Sequence, residues 1–397
     1  MSNVFIDVDY NQTYKTGQKI GGDVFLQSRE SQTNHVVCTL SDGLGSGVKA
    51  NVLANLTANM AHRLSFSPLN LTKSAKIIMN TLPVCSERKI SYSTFTIADI
   101  RNGEEGEIDV QLVEYDNPPA LYFKRETLVK LDSDLVNLKR EGALKEELIR
   151  HSSFSMSEGD RLVMFTDGVT QAGMGKVFPL GWRSSGVATY ISELIVKEPQ
   201  ISARDLAAAI SRKANALDSF AAQDDITCAV VYVRKPRKTL IVTGPPFTKE
   251  KDQLLGQKIR EFDGRKIVSG GTTAQIVSRL FEKKVTVDLS LWSANVPPPS
   301  KMEGIDLVTE GMLTLSKVAT VLEKKESLNR MSNDAVKKFV EILINSDQVS
   351  FIVGTKINEA HQDPSIPVEI GIRRSIISRI RKALEQNYLK ETSLEYI

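Results

Sequence analysis

Aspartates set beside glycines are the residues whose types and spacing suggest chemistry. Asp23 follows Gly22, Asp42 opens DGLGSG, Asp167 lies in FTDG, and Asp224-Asp225 begin DDIT. Most of these acids lie where an apolar run begins or ends, so their carboxylates project from a sheet margin. A short, stiff aspartate offers hard oxygen ligands, which select Mg2+ or Mn2+ over zinc. The glycine after the acid opens φ values closed to other residues, letting its carbonyl turn toward a cation. Two such ions about 3.5–4 Å apart would share a water and lower its pKa from ~15.7 toward ~7. The resulting hydroxide would attack phosphorus in line while the ions neutralise the phosphoryl oxygens, with no covalent phosphoenzyme. A lone Asp-Gly is a common turn, and DDIT alone reads equally well as a helix cap or a turn. Ordered recurrence across one domain-sized span carries the argument.

The elements that must position these acids follow from the apolar pattern. Val36 to Leu40 reads as a strand running into Ser41-Asp42-Gly43. VKANVLANLTANMAHRL has helical spacing, with Val48, Val52, Leu53, Leu56 and Met60 on one face. Leu71 to Met79 gives a second helix. Tyr92 to Ile100 and Ile108 to Tyr115 are strands joined by the turn Arg101-Asn102-Gly103-Glu104, and Ala120 to Phe123 is a third. Arg161 to Thr166 is a strand ending in Asp-Gly, helices span roughly 186–197 and 202–217, and Thr227 to Val233 closes this half. Strands, helices, strands, helices and a last strand make an α+β pattern suited to a β-sandwich flanked by helices.

Lys235-Pro236-Arg237-Lys238 forms a basic linker and separates domains at 1–235 and 239–397. Beyond it the spacing predicts strands over 239–242, 266–269, 285–291, 305–309 and 349–354. Helices are expected over 249–262, 272–281, 312–323, 333–346 and 373–388, the last ending the chain. Such alternation predicts an open, Rossmann-like α/β sheet. Two loops, Gly270-Gly271-Thr272-Thr273 and Thr309-Glu310-Gly311, lead into helices. Free N–H groups at these helix starts suit a small anionic ligand; a threonine-capped turn is the simpler account. The terminal helix sets Ile372, Ile376, Ile380 and Leu384 on one face, with Arg373, Arg374, Arg379, Arg381 and Lys382 elsewhere. It reads as a packed helix with a solvated basic side.

Composition narrows the function classes. Lys and Arg number 51 against 48 acids in 397 residues, a balance that gives no electrostatic case for nucleic acid. Apolar residues at 41% and charged ones at 25% make a globular composition. Cys38, Cys85 and Cys228 lie far apart, which fits a reducing compartment and argues against a disulfide framework. The opening MSNVFIDVDYNQTYKTG lacks the apolar stretch of a signal peptide, and no run elsewhere is long enough to span a bilayer. A soluble, cytoplasmic protein without stable membrane association is expected.

GGDVF, LSDGLGSGVKA, GDRLVMFTDGV and DDITCAVVYV, in that order, resemble the motifs of the SpoIIE-like branch of the metal-dependent PPM protein phosphatases. The resemblance implies a PPM-type sandwich over residues 1–235 that hydrolyses phosphoserine and phosphothreonine of a phosphoprotein with two Mn2+ or Mg2+ ions. On it, Asp42 bridges both ions, the Gly43 carbonyl ligates one, and Asp167 and Asp224 hold the other. Asp225 stands beside Asp224, so a swap between the two stays open. Asp23 would orient metal-bound water, completing the catalytic set Asp23, Asp42, Asp167 and Asp224. Gly45 and Gly47 would let the loop approach the ions closely. Members of the branch often carry Gly-His-Pro-Pro; Asp116-Asn117-Pro118-Pro119 stands there instead, which removes a histidine role. None of His35, His62, His151 and His361 falls in a family motif, and His35 and His62 are read as ordinary structural residues. The second half resembles the extension on SpoIIE-like phosphatases linked with bacterial iron-only hydrogenase systems, and a regulatory role is expected of it. The alternative is a non-catalytic phosphoprotein-binding switch with a ligand-sensing C-terminal domain. Metal-dependent turnover separates the two.

Overall fold

A computed structural model of the chain describes residues 4–30, 33, 35–45, 47–66, 71–82, 93–103, 107–138, 147–294, 296–328, 331–356 and 366–397. Cys85, Tyr92, Glu104 and His361, named above, lie outside the described residues. Contacts divide the chain into two units, Met1–Lys235 and Pro236–Ile397.

In the first unit the elements are β1 (Phe5–Thr13), β2 (Asp23–Glu30), β3 (His35–Asp42), α1 (Val48–Ser65), α2 (Leu71–Thr81), β4 (Phe95–Asn102), β5 (Ile108–Tyr115) and β6 (Leu121–Lys124). There follow β7 (Thr127–Val129), β8 (Asp134–Leu138), β9 (Glu147–Met156), β10 (Arg161–Phe165), α3 (Asp167–Thr170), α4 (Arg183–Lys197), α5 (Ala203–Leu217) and β11 (Ile226–Arg234). They build two antiparallel sheets, β1-β11-β10-β6-β7 and β2-β3-β4-β5-β9-β8. Alternate residues decide which side of a sheet each side chain serves. Leu162 and Met164 of β10 meet Cys38, Leu40 and Ala98 of the other sheet, whereas Val163 and Phe165 pack under Ile191 of α4 and Ile210 of α5. On the far side, Leu71, Ala75 and Ile78 of α2 cover Phe95, Ile97 and Val113. With both faces covered, β10 and β11 are buried along their whole length, which is why they read as unbroken apolar runs.

Arg161 is the exception in β10. It is 1% exposed, lies 3.7 Å over the Tyr232 ring, and donates to the carbonyls of Pro199 and Ile201 at 2.8 and 3.3 Å. The strand that leads to Asp167 is thereby tied to the turn between α4 and α5.

Five strands of this unit carry no expectation from sequence: the short β7 and β8, and the longer β1, β2 and β9. Each of the longer three mixes charged residues into a half-buried pattern, and β1 owes its order to pairing with β11 from Phe5 opposite Arg234 to Thr13 opposite Ile226. Helix α1 also departs from expectation. Val48, Val52 and Leu56 are 65, 60 and 49% exposed, while Leu53 and Met60 are half-buried. The face against the sheet is instead Ala50, Ala54, Thr57, Ala58, Ala61 and Ser65. Small side chains let this helix lie close to β2, where Ala54 and Ala58 touch Val24. Closeness, not bulk, selects its inner residues.

The second unit contains β12 (Lys238–Thr243), α6 (Lys251–Glu261), β13 (Arg265–Ser269), α7 (Gly271–Phe281), β14 (Thr286–Val287) and β15 (Ser300–Met302). It continues through β16 (Ile305–Thr309), α8 (Met312–Lys324), α9 (Ala335–Ile344), β17 (Gln348–Val353), α10 (Ile366–Tyr388) and β18 (Glu391–Tyr396). One sheet runs β14-β15-β16-β13-β12-β17-β18, and its last five members are mutually parallel. Helices α6 and α7 cover Leu240, Val242 and Val268, and α8, α9 and α10 cover Ile241, Ile267 and Phe351 on the opposite face.

The chain does not end in a helix: β18 follows α10 and pairs with β17. The expected strand over 285–291 is reduced to β14 and a short 3-10 turn, Leu289–Leu291. Threonine caps are absent as well, since Gly270 and Gly311 occupy the cap positions of α7 and α8 without side-chain bonds. Ile376, Ile380 and Leu384 of α10 are buried, whereas Ile372 is 44% exposed. Three of its basic residues are engaged as well as solvated: Arg379 pairs with Glu323, Arg381 with Glu385, and Arg374 lies over Tyr396. No described helix is long and apolar enough to cross a membrane.

The inverted reading of α1 is directly testable by urea unfolding. Ala58→Leu is expected to destabilise by about 1–3 kcal/mol through overpacking. Val52→Lys, on the exposed stripe, should change stability by less than about 0.5 kcal/mol.

Candidate functional site

Register and strand adjacency gather the acids. Asp23 begins β2 and Asp42 ends β3, and the two are direct partners in the ladder. In the facing sheet Phe165 of β10 lies opposite Cys228 of β11. Asp167 therefore leaves one strand end while Asp224 approaches its neighbour. Asp23, 3% exposed, joins the two sheets: its Oδ2 accepts from the Thr166 hydroxyl at 2.8 Å and the Thr227 hydroxyl at 2.6 Å.

The electrostatics follow from this crowding. Burial, then the charges of Asp167, Asp224 and Asp225, push the Asp42 carboxyl up to about 8. Burial and the Asp42 charge likewise hold Asp23 well above the usual carboxylate range, against the pull of its two threonine hydrogen bonds. Asp167 and Asp224 are raised too, burial first; the Asp224 charge, and behind it that of Asp116, lifts Asp167 further, and Lys15 draws Asp224 back down. Among the described residues, none of Asp42, Asp167 and Asp224 forms an ion pair. Half-buried hard oxygens in excess of cationic side chains suit Mg2+ or Mn2+. No group of three or more His, Cys, Asp or Glu side chains among the described residues stands ready-made as a metal cage.

The tandem acids play different parts. Both oxygens of Asp225 are occupied, accepting from the backbone N–H of Gly22 at 2.5 Å and of Lys15 at 2.9 Å. Asp225 thus clamps the loop leading into β2. Asp224 accepts from the Asp225 N–H at 3.0 Å and is otherwise left to the electrostatic centre.

The glycines are required for a reason other than the one expected. Neither Gly43 nor Gly168 has a positive φ. A Cβ on Gly43 would fall 2.1 Å from the Ala50 carbonyl oxygen, and one on Gly168 would fall 2.1 Å from that of Asp225. Close backbone approach, not an unusual dihedral, excludes a side chain. Gly45 and Gly47 do have positive φ, 102° and 73°, and Gly45 has open space around it.

Asn117, where the branch often has histidine, braces Asp42 from behind. The Asp42 N–H donates to Thr94 Oγ1 at 3.3 Å, the Thr94 hydroxyl donates to Asn117 Oδ1 at 2.5 Å, and Asn117 Nδ2 donates to Thr96 Oγ1 at 3.0 Å. The described histidines bond elsewhere: His35 to Asp99 at 2.9 Å, His62 to Ser28 at 2.8 Å and His151 to Gln111 at 2.7 Å. Sequence reasoning missed Thr166, Thr227 and Asn117. The two threonines were visible inside FTDG and DDIT, but their common target lies 143 and 204 residues away.

Two facing antiparallel sheets with helices outside, and acids converging at one edge of the sandwich, make a PPM-type fold. Within that class the chain belongs to the SpoIIE family: residues 32–234 match Stage II sporulation protein E (SpoIIE). Among solved structures it is similar to the phosphatase domain of the cell fate determinant SpoIIE from Bacillus subtilis, at 16% identity and a TM-score of 0.43, over 59% of this chain and 95% of that one. It is also similar to RsbX in complex with magnesium, at 14% identity and a TM-score of 0.39, over 59% and 100% of the two chains. A third similar structure is the serine/threonine phosphatase Stp1 from Staphylococcus aureus, at 13% identity and a TM-score of 0.40, over 57% and 95%. No curated protein sequence matches the chain.

Close packing at Gly168 sets a measurable expectation. Gly168→Ala should destabilise the chain by about 3 kcal/mol, the upper end for overpacking, because the obstructing atom is backbone and cannot swing aside. Chemical denaturation of the variant checks this.

Proposed function

We propose that this chain hydrolyses phosphoserine and phosphothreonine in proteins, using two Mn2+ or Mg2+ ions held by Asp42, the Gly43 carbonyl, Asp167 and Asp224. Bound there, the ions would supply an activated water and neutralise charge on the phosphoryl oxygens. The observation that carries the reading is the convergence on Asp42, a half-buried carboxylate that feels the charges of Asp167, Asp224 and Asp225 and forms no ion pair among the described residues. Asp42, central to this set, is the shared ligand in this account. Asp23, its ladder partner, would orient the attacking water. Asp225 keeps the loop from Lys15 to Gly22 closed over the same edge and is left out of the ligand set. Family membership supports the phosphatase activity.

For the second unit we propose a regulatory role. Its parallel strands, counted along the chain, run in the spatial order 3-2-1-4-5, the Rossmann-like doubly wound arrangement that binds ligands at the carboxyl ends of its strands. A small anion suits the helix start behind Gly270, whereas behind Gly311 the Leu313 N–H already donates to the Glu310 carboxylate at 3.2 Å. Such a ligand regulates only by binding two activity states with unequal affinity.

Hydrolysis of an aryl phosphate by the purified chain, with Mn2+ and with EDTA, tests the enzymatic reading. Turnover should need the metal, and Asp42→Ala should lower kcat by ~10³-fold or more, matching the several kcal/mol a metal centre supplies. Absence of turnover with every divalent ion would favour the phosphoprotein-binding switch.

The tandem acids give a separate expectation. Asp224→Asn should weaken Mn2+ activation by ~10-fold or more, the scale of altering a metal's ligand environment. Asp225→Ala should instead destabilise by about 2–4 kcal/mol, from two backbone donors left unpaired. Metal titration and urea unfolding of both variants check the assignment.

A further inference from the structure

We propose that Thr166 and Thr227 are positioning residues for the candidate metal centre, fixing the Asp23 carboxylate so that its second oxygen faces Asp42. The inference rests on the phosphatase reading in taking Asp42 as a metal ligand.

The geometry is a closed hydrogen-bonded triangle in a dry place. Thr166 and Thr227 are each 0% exposed and Asp23 is 3% exposed. Thr166 N–H donates to the Thr227 carbonyl at 3.1 Å, and Thr227 N–H donates to Thr166 Oγ1 at 3.2 Å. That second bond orients the Thr166 hydroxyl. Its oxygen already receives a proton from the backbone, so its own proton is directed to Asp23 Oδ2, 2.8 Å away. Thr227 sends its hydroxyl to the same Oδ2 at 2.6 Å. The Gln12 side chain does not compete, because its Nε2 donates to the Asp23 backbone carbonyl at 2.9 Å. One carboxylate oxygen is therefore fully engaged, and the other is left toward Asp42, the ladder partner of Asp23.

Packing alone does not account for these residue types. Valine has the shape of threonine and suits a buried strand end better, since a buried hydroxyl costs free energy unless bonded. Here both hydroxyls have one target. Their places in the chain matter equally: Thr166 immediately precedes Asp167, and Thr227 lies three residues after Asp224. The triangle therefore couples the position of Asp23, in one sheet, to both strand ends that carry acids in the other. A shift of either strand end moves the Asp23 carboxylate with it.

The test uses the full chain with Thr166→Val and Thr227→Val, and with Thr166→Ser and Thr227→Ser as hydroxyl-retaining controls. Mn2+ binding is read by isothermal titration calorimetry without substrate, kcat and KM with an aryl phosphate, and folding by thermal unfolding. Each valine variant should lose ~10–100-fold in Mn2+ affinity and in kcat, the usual cost of removing a group that orients a metal site. KM for the aryl phosphate should stay close to wild type, and the serine variants should recover most of both losses. Valine variants with wild-type Mn2+ affinity and kcat would overturn the proposal. So would losses in valine and serine variants alike that track the fall in unfolding temperature, since those report folding only. Should the wild type bind Mn2+ but hydrolyse no phosphate, the phosphatase reading fails, and the calorimetric comparison still decides this proposal. Wild-type protein that binds no Mn2+ would remove both.

Discussion

Carboxylates repel one another, and the first unit must hold several of them at one sandwich edge in spite of that. Burial makes the repulsion worse, because a low-dielectric surrounding strengthens it and disfavours every charged form. The fold resists through covalent and hydrogen-bonded rigidity rather than through local countercharge. Asp23 and Asp42 are locked by antiparallel register. Asp167 and Asp224 are locked by neighbouring strands whose side chains are buried on both faces. Threonine hydroxyls then join one pair to the other.

Close backbone contacts serve the same end. Gly43 lies under the Ala50 carbonyl and Gly168 under that of Asp225, so each acid-bearing turn is pressed against a second segment of the chain. The alanine face of α1 belongs to this arrangement, since larger inner residues would lift the helix and with it Ala50. Asn117 and Asp225 add polar braces behind the loops. Each brace satisfies backbone or hydroxyl groups that would otherwise be buried unpaired, a cost of about 1–3 kcal/mol apiece. Positioning and stability are therefore served by the same bonds.

The second unit is organised by a different rule. Its central parallel strands β13, β12 and β17 are covered on both faces, so apolar side chains alternate between two helical layers instead of between core and water. Charged residues of α10 are drawn into pairs with Glu323 and Glu385, leaving less of a free basic face than its sequence suggests.

Much was legible from the chain alone. The family followed from the ordered aspartate motifs, and apolar runs such as β10 and β11 announced themselves because burial on both faces leaves few polar positions. The candidate acids could be named for the same reason that they are chemically useful: a carboxylate next to glycine at a strand end is a local pattern. What remained hidden was relational. Strands β1, β2 and β9 carry enough polar residues that only pairing defines them. The inner face of α1 is made of alanine and serine, whose hydrophobicity is too weak to outvote the exposed valines. Asp224 and Asp225 are chemically identical, and only the backbone donors at Gly22 and Lys15 tell them apart. The sequence by itself determined which chemical groups this protein has to work with and the kind of strand that bears them. Tertiary structure decided which of those groups face one another, because hydrogen bonds and close contacts between segments some two hundred residues apart leave no local trace.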